Sequence, residues 1–169
     1  MKALFIGRFQ PFHKGHLKVI ENILKDFDEV IIGIGSSQYS NTIDNPFSSE
    51  ERVKMIEGSL KEEGFKQYSI VLIPDIHNPP KWVDHVLSIV SDFDVVVANN
   101  SFTQELFRKK SFKTIKTPFF NKNSFSGKTI RRQIADGENW EESVPKSVSR
   151  IIYEINGVKR IKDLFEKQV

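Results

Sequence analysis

Cysteine is missing from this chain of 169 residues. That excludes disulfide cross-links, thiolate metal sites and a cysteine nucleophile. Long hydrophobic runs are missing as well; every apolar stretch falls well short of the ~20 residues that cross a bilayer. The first residues go straight into a strand-like segment, without the basic start and apolar stretch of a secretory leader. The expected location is therefore cytoplasmic, with no membrane partner. Blocks of five or six like charges are lacking too, and the formal net charge is only +3. Such a mild, scattered balance suits a phosphorylated small ligand and gives little support to nucleic acid as a partner. Histidine is scarce, with four in all.

What is present describes a folded chain. Charged residues make up 28% and hydrophobic ones 38%, the balance of a globular protein long enough to bury a core. Short β-branched runs alternate with helical periodicity. The segments 2–7, 29–35, 68–74 and 93–98 read as strands, and 112–117 as an edge strand. Leu17, Ile20 and Leu24 mark one helix face; Val53, Ile56 and Leu60 mark a second, after a Ser48–Glu51 capping box. Further helices are predicted around 81–91 and 102–110. Two more follow on the stripes Val148, Ile151, Ile152, Ile155 and Val158, Ile161, Leu164, Phe165. The alternation predicts a single α/β domain, with a doubly wound, mostly parallel sheet to about residue 126 and a small helical subdomain over 127–169. Ligands of such sheets bind beyond the carboxyl ends of the strands. The loops 7–16, 35–47, 74–82, 98–101 and 117–131 are thus the expected functional ones.

The stretch "GRFQPFHKGH", from Gly7 to His16, follows the first strand. Gly7 allows close backbone approach, and Pro11 keeps Gln10 extended, so a helix must begin beyond it. His13 and His16 then fall in the first helical turn, on one face, where free amides and the helix dipole favour anions. Arg8 adds a positive charge. Three readings compete: histidines that pack or cap, a zinc site built on i, i+3 imidazoles, and imidazoles that donate to a phosphate in group transfer. The zinc reading needs a third ligand that no cysteine or H-E-x-x-H pattern supplies. Gly15 keeps the volume beside the two rings minimal, which suits the third.

"H-K-G-H" matches the HxGH signature of the nucleotidylyltransferase superfamily. The ten-residue stretch as a whole resembles the archaeal nicotinamide-nucleotide (NMN) adenylyltransferases. A second segment, "SFSGKTIRRQ" from residue 124, has Ser126 as an N-cap, Gly127 for close approach, and Arg131 and Arg132 in the first turns. It resembles the superfamily's triphosphate-gripping helix start. Archaeal members read S-G-T-E-I-R-R where this chain has S-G-K-T-I-R-R, so the threonine stands one place later and Lys128 adds a cation. "NPFSSEER" resembles the family's N-P-F-T-x-x-E-R and carries over Arg52 as a phosphate-binding arginine; without the resemblance Arg52 reads as a surface charge. "DIHNPPKW" (75–82) resembles D-I-x-x-N-x-x-W, although its Asn falls one place early.

The resemblance implies a Rossmann-like fold and the reaction ATP + NMN → NAD⁺ + pyrophosphate, by in-line attack on the α-phosphorus. It implies catalytic roles for Arg8, His13, His16, Arg52 and Arg131. It further implies ATP or phosphate contacts from Gly7, Phe9, Gly15, Asn100, Ser126, Gly127 and Lys128. Contacts to NMN would come from Ser36, Asp75, Ile76 and Asn78, with Trp82 stacking on the flat cationic ring. His77 and His85 read as surface or packing residues. Mg²⁺ is expected, held mainly through ATP phosphates, with no protein metal ligand. The family generally forms homo-oligomers, often hexamers. Two alternatives stay open: a related nucleotidylyltransferase acting on phosphopantetheine, FMN or nicotinic acid mononucleotide, and a non-catalytic nucleotide- or RNA-binding module.

Overall fold

The computed structural model describes residues 1–98, 100–116 and 125–168. Asn99, Thr117 of the expected edge strand, and 118–124 of the loop expected after it lie outside the described residues.

Five apolar, largely β-branched segments form the sheet: β1 (Lys2–Gly7), β2 (Glu29–Gly35), β3 (Tyr68–Ile73), β4 (Val95–Val97) and β5 (Lys113–Ile115). They pair in the order β3-β2-β1-β4-β5, every pair parallel, in the manner of the expected Rossmann-like fold. Ala3 lies opposite Val30 on one side and Val95 on the other. β5 is an edge strand, as its mixed composition predicts. Three expected strands are longer than the observed ones; β5 leaves out Phe112 and Lys116. β3 stops at Ile73, because Pro74 has no N–H to give the ladder, and β4 keeps only its three valines.

The helices are α1 (Lys14–Asp26), α2 (Ser49–Glu62), α3 (Pro79–Ile89), α4 (Ser101–Lys109), α5 (Gly127–Asp136), α6 (Lys146–Glu154) and α7 (Gly157–Glu166). α3 begins two residues before its expected start, since Pro79 and Pro80 suit the first turn, where N–H groups have no partner in the helix. The face of α2 is also turned by one position. Arg52, Met55, Ile56, Ser59 and Leu60 are its buried residues, and Val53 is half-buried. A charged residue therefore stands where the periodicity alone places a solvent-facing one. Among the described residues no helix is long and apolar enough to cross a membrane.

Two compact units account for the chain. The first consists of Met1–Gly7, Val19–Ser37 and the described part of Gln67–Phe119. It holds the sheet, and its core gathers Leu4, Ile31, Ile73, Val83, Val96 and Phe107. The rings of Trp82, Phe93 and Phe112 meet Phe107 edge-on, a favoured aromatic geometry. The second unit consists of Arg8–Lys18, Gln38–Lys66 and the described part of Phe120–Val169. In it α2 packs on α6, while α5 and α6 pack on α7, burying Phe47, Ile56, Leu60, Ile134, Val148 and Ile152 completely or nearly so.

Candidate active site

Beyond Gly7 the backbone turns sharply. Arg8 is exposed. Phe9, nearly fully buried, takes a left-handed φ of 55°, a conformation that costs a non-glycine residue on the order of 1–3 kcal/mol unless its surroundings hold it. Gln10 and Phe12 are buried. His13 then sits just before α1, its carbonyl accepting the Leu17 N–H at 3.1 Å.

The two imidazoles form a reciprocal cap. The His13 N–H donates to His16 Nδ1 at 3.1 Å, and the His16 N–H donates to His13 Nδ1 at 3.3 Å. This is the geometry of a capping box, with rings in place of a hydroxyl and a carboxylate. The rings stack at 3.5 Å between centroids. Phe12 also stacks on His16, at 5.5 Å between centroids, and Phe9 meets it edge-on at 4.7 Å. Because each Nδ1 accepts a backbone proton, each neutral ring keeps its own proton on Nε2. Burial pushes the His13 imidazole down to about 3. Burial, followed by the neighbouring His13, pushes His16 well below its ordinary value. Both rings are neutral donors at pH 7. A Cβ on Gly15 would come 2.9 Å from His13 Cε1, so a larger residue would force the ring out of the stack.

Three arginines surround this turn in the same unit. Arg52 is fully buried. Its Nη1 donates to the Arg8 carbonyl at 2.9 Å, its Nε to the Ser48 carbonyl at 3.2 Å and its Nη2 to the Tyr39 carbonyl at 3.3 Å. Arg131, 5% exposed, donates from Nη1 to the Gln10 carbonyl at 2.8 Å, and its Nη2 lies 3.9 Å from the exposed Asp44. Burial and then the nearby Arg8 lower both guanidiniums to about 10. They stay charged at pH 7, and the surplus positive charge favours a polyanion.

The second helix start also joins the cluster. Ser126 Oγ accepts the Thr129 N–H at 3.0 Å and donates to Thr129 Oγ1 at 2.8 Å. The displaced threonine thus completes the cap. Gly127 lets Arg131 reach Gln10, for a Cβ there would lie 2.9 Å from Arg131 Nη1 and 3.0 Å from the Gln10 carbonyl. Lys128 is exposed. Arg8, His13, His16, Arg52, Ser126, Gly127 and Arg131 are therefore brought together in one unit. Among the described residues no group of three His, Cys, Asp or Glu side chains gathers that could hold a metal.

The residues expected to contact NMN lie in the sheet unit, with Gly7 and Asn100. Gly7 ends β1 opposite Ile34. Ser36 follows β2 with a left-handed φ of 47°. Asp75 Oδ1 accepts the His77 N–H at 2.9 Å, next to the exposed Ile76. Asn78 precedes α3 without capping it through its side chain. Trp82 is half-buried, its ring 5.7 Å from that of Phe107. Asn100 Oδ1 caps α4, accepting from Phe102 and Thr103. His85, expected to be a surface or packing residue, bonds the Pro74 carbonyl through Nε2 at 2.9 Å and so holds the base of the 75–78 loop. Gln10 and Asp44 escaped the sequence reading. A polar residue between aromatic neighbours in "FQPF" was the available sign for Gln10.

Residues 4–133 match the model of the cytidylyltransferase-like family. The chain is 46% identical over 169 residues to the nicotinamide-nucleotide adenylyltransferase of Archaeoglobus fulgidus, covering 97% of each. It is 44% identical to that of Picrophilus torridus, covering 98% of each. Among solved structures it is similar to a bifunctional NMN adenylyltransferase/ADP ribose pyrophosphatase from Francisella tularensis, crystallised with AMP and a Mn ion. The TM-score is 0.72 at 27% identity. The chain covers 56% of that longer protein's length, and 98% of its own is matched.

Proposed function

This chain belongs to the cytidylyltransferase-like family, and from that premise we infer that it transfers the adenylyl group of ATP to NMN, giving NAD⁺ and pyrophosphate. The observation that carries this reading is the pair of stacked, neutral imidazoles beside Arg8, Arg52 and Arg131.

The 5′-phosphate of NMN is already an anion, so its attack on the α-phosphorus needs no strong base. Positioning and charge stabilisation carry the rate. The His16 Nε2–H donates to the α-phosphate as negative charge develops on it, and His13 holds His16 in that tautomer through the reciprocal cap. Arg8, exposed at the turn, takes the phosphates directly. Arg52 and Arg131 add charge while their N–H groups hold the turn's carbonyls, and Phe9 and Gly15 keep the rings stacked. The capped start of α5, with Ser126, Gly127 and Lys128, takes the departing pyrophosphate. In the sheet unit Gly7, Ser36, Asp75, Ile76, Asn78 and Asn100 line the nucleotides, and Trp82 stacks on the nicotinamide.

The site's own chemistry, guanidiniums and neutral imidazoles beside one exposed carboxylate, suits phosphate oxygens. A divalent ion, Mg²⁺ in this proposal, would be held mainly through the ATP phosphates and would supply charge neutralisation there. A cytoplasmic, homo-oligomeric enzyme completes the reading. The test is pyrophosphate release from ATP with NMN, nicotinic acid mononucleotide, FMN and phosphopantetheine compared side by side, with and without EDTA. NMN is expected to give the highest kcat/KM and EDTA to abolish turnover. Release with FMN or phosphopantetheine alone would overturn the assignment.

A further inference from the structure

We propose that Gln10 is the positioning residue of this site, fastening the turn that carries both histidines to the segment before α2 and to the start of α5. This rests on the adenylyl-transfer reading and adds to it a residue that touches no reacting atom.

Gln10 is 3% exposed, and both ends of its side-chain amide and its own carbonyl are hydrogen-bonded. Its Nε2 donates to the Phe47 carbonyl at 2.9 Å, while the Phe47 N–H donates to its Oε1 at 2.9 Å. The side-chain amide thus pairs with both backbone groups of one residue, as a neighbouring strand would. Its carbonyl accepts Arg131 Nη1 at 2.8 Å. One residue before Phe9, the Arg8 carbonyl accepts Arg52 Nη1. The carbonyls on both sides of the left-handed Phe9 are therefore gripped by buried guanidiniums, and Gln10 ties the same turn to fully buried Phe47. Phe9 in turn meets the edge of His16. A shift of this turn moves the Nε2–H donors, and misplacement by ~1 Å can cost a reaction about a hundredfold.

Chemistry at this position is narrow. Asparagine falls one methylene short, a carboxylate cannot donate to the Phe47 carbonyl, and an apolar side chain leaves two buried backbone groups unpaired. The experiment compares wild type, Gln10→Met and Gln10→Glu in steady-state NAD⁺ synthesis, with circular dichroism confirming folded protein at the assay temperature. For Gln10→Met, kcat is expected to fall about tenfold or more while KM for ATP and NMN stays within about threefold. Gln10→Glu keeps the shape and the acceptor, so its kcat falls near neutral pH. Its ratio to wild type rises as the pH drops and the carboxyl regains a proton to donate. Arg8, His13, His16, Asp44, Arg52 and Arg131 around that turn, with Glu51 and Arg160 beside Phe47, are the charged and titratable groups facing it, and taking the ratio to wild type removes their own titration. Should Gln10→Met not fold, the pH dependence of Gln10→Glu decides. A folded Gln10→Met with wild-type kcat, or a Gln10→Glu deficit equal at every pH, overturns the proposal. A wild-type protein that makes no NAD⁺ overturns instead the reading beneath it, and shows that without any substitution.

Discussion

Two histidines three residues apart satisfy each other's backbone at His13 and His16. Capping and catalysis, which compete as readings of the sequence, are here one arrangement: the cap sets the tautomer, and the tautomer aims the donor. His16→Ala is expected to lower kcat by about 100-fold to 1,000-fold with little change in KM, the cost of one transition-state donor. His16→Asn can still accept the His13 N–H and should lose nearly as much. Steady-state kinetics decide, and recovery of kcat in His16→Asn would reduce the ring to a cap. The motif made these two residues visible. Arg52 was less so. A charge inside an amphipathic helix reads as solvent-facing, whereas here the Arg8, Ser48 and Tyr39 carbonyls accept from the fully buried guanidinium.

Helix starts were the most legible elements. Ser48–Glu51 forms the capping box its spacing predicts, and Ser126 caps α5. Contacts between helices distant in sequence were not legible. Arg160 of α7 donates to both oxygens of Glu51 at 2.7 and 2.9 Å and to the Pro46 carbonyl at 3.0 Å. In the periodicity it is merely a polar position between Val158 and Ile161. Burial alone would raise the Glu51 carboxyl, but hydrogen bonds from Arg160 and Ser48 hold it below the ordinary range. Arg160→Met should destabilise the fold by about 1–3 kcal/mol, as a half-buried charge-assisted pair is lost. Adding Glu51→Gln should cost little more, because the two share one interaction. Urea unfolding of the single and double variants measures this; additive losses would show the pair to be uncoupled.

At the scale of the whole molecule, the buried imidazoles tie stability to pH. His13 titrates near 6.5 when unfolded and near 3 when folded, and His16 shifts in the same direction. Between those values the unfolded chain binds more protons, so stability rises with pH across that window. It is complete above about 6.5 and is lost as the pH falls toward 3. Glu51, also lowered, adds a loss at the acid end. Urea midpoints should hold from pH 8 to 7 and fall steadily from 6.5 to 4, and His13→Gln should flatten the slope between 6.5 and 5. A flat wild-type profile there would contradict burial of neutral rings.

By itself the sequence determined the α/β alternation, the edge position of β5, the helix starts and the family's two phosphate motifs. All of these are local: period, cap chemistry and motif spacing span a few residues and need no partner. Only the tertiary structure decided which groups those motifs meet. Gln10 against Phe47, Arg131 on the Gln10 carbonyl 121 residues away, and the burial of Arg52 each depend on chain segments whose approach no local pattern encodes. A backbone carbonyl or N–H is the partner in every case, and since every residue but proline carries both, residue identity leaves no trace of which one is used.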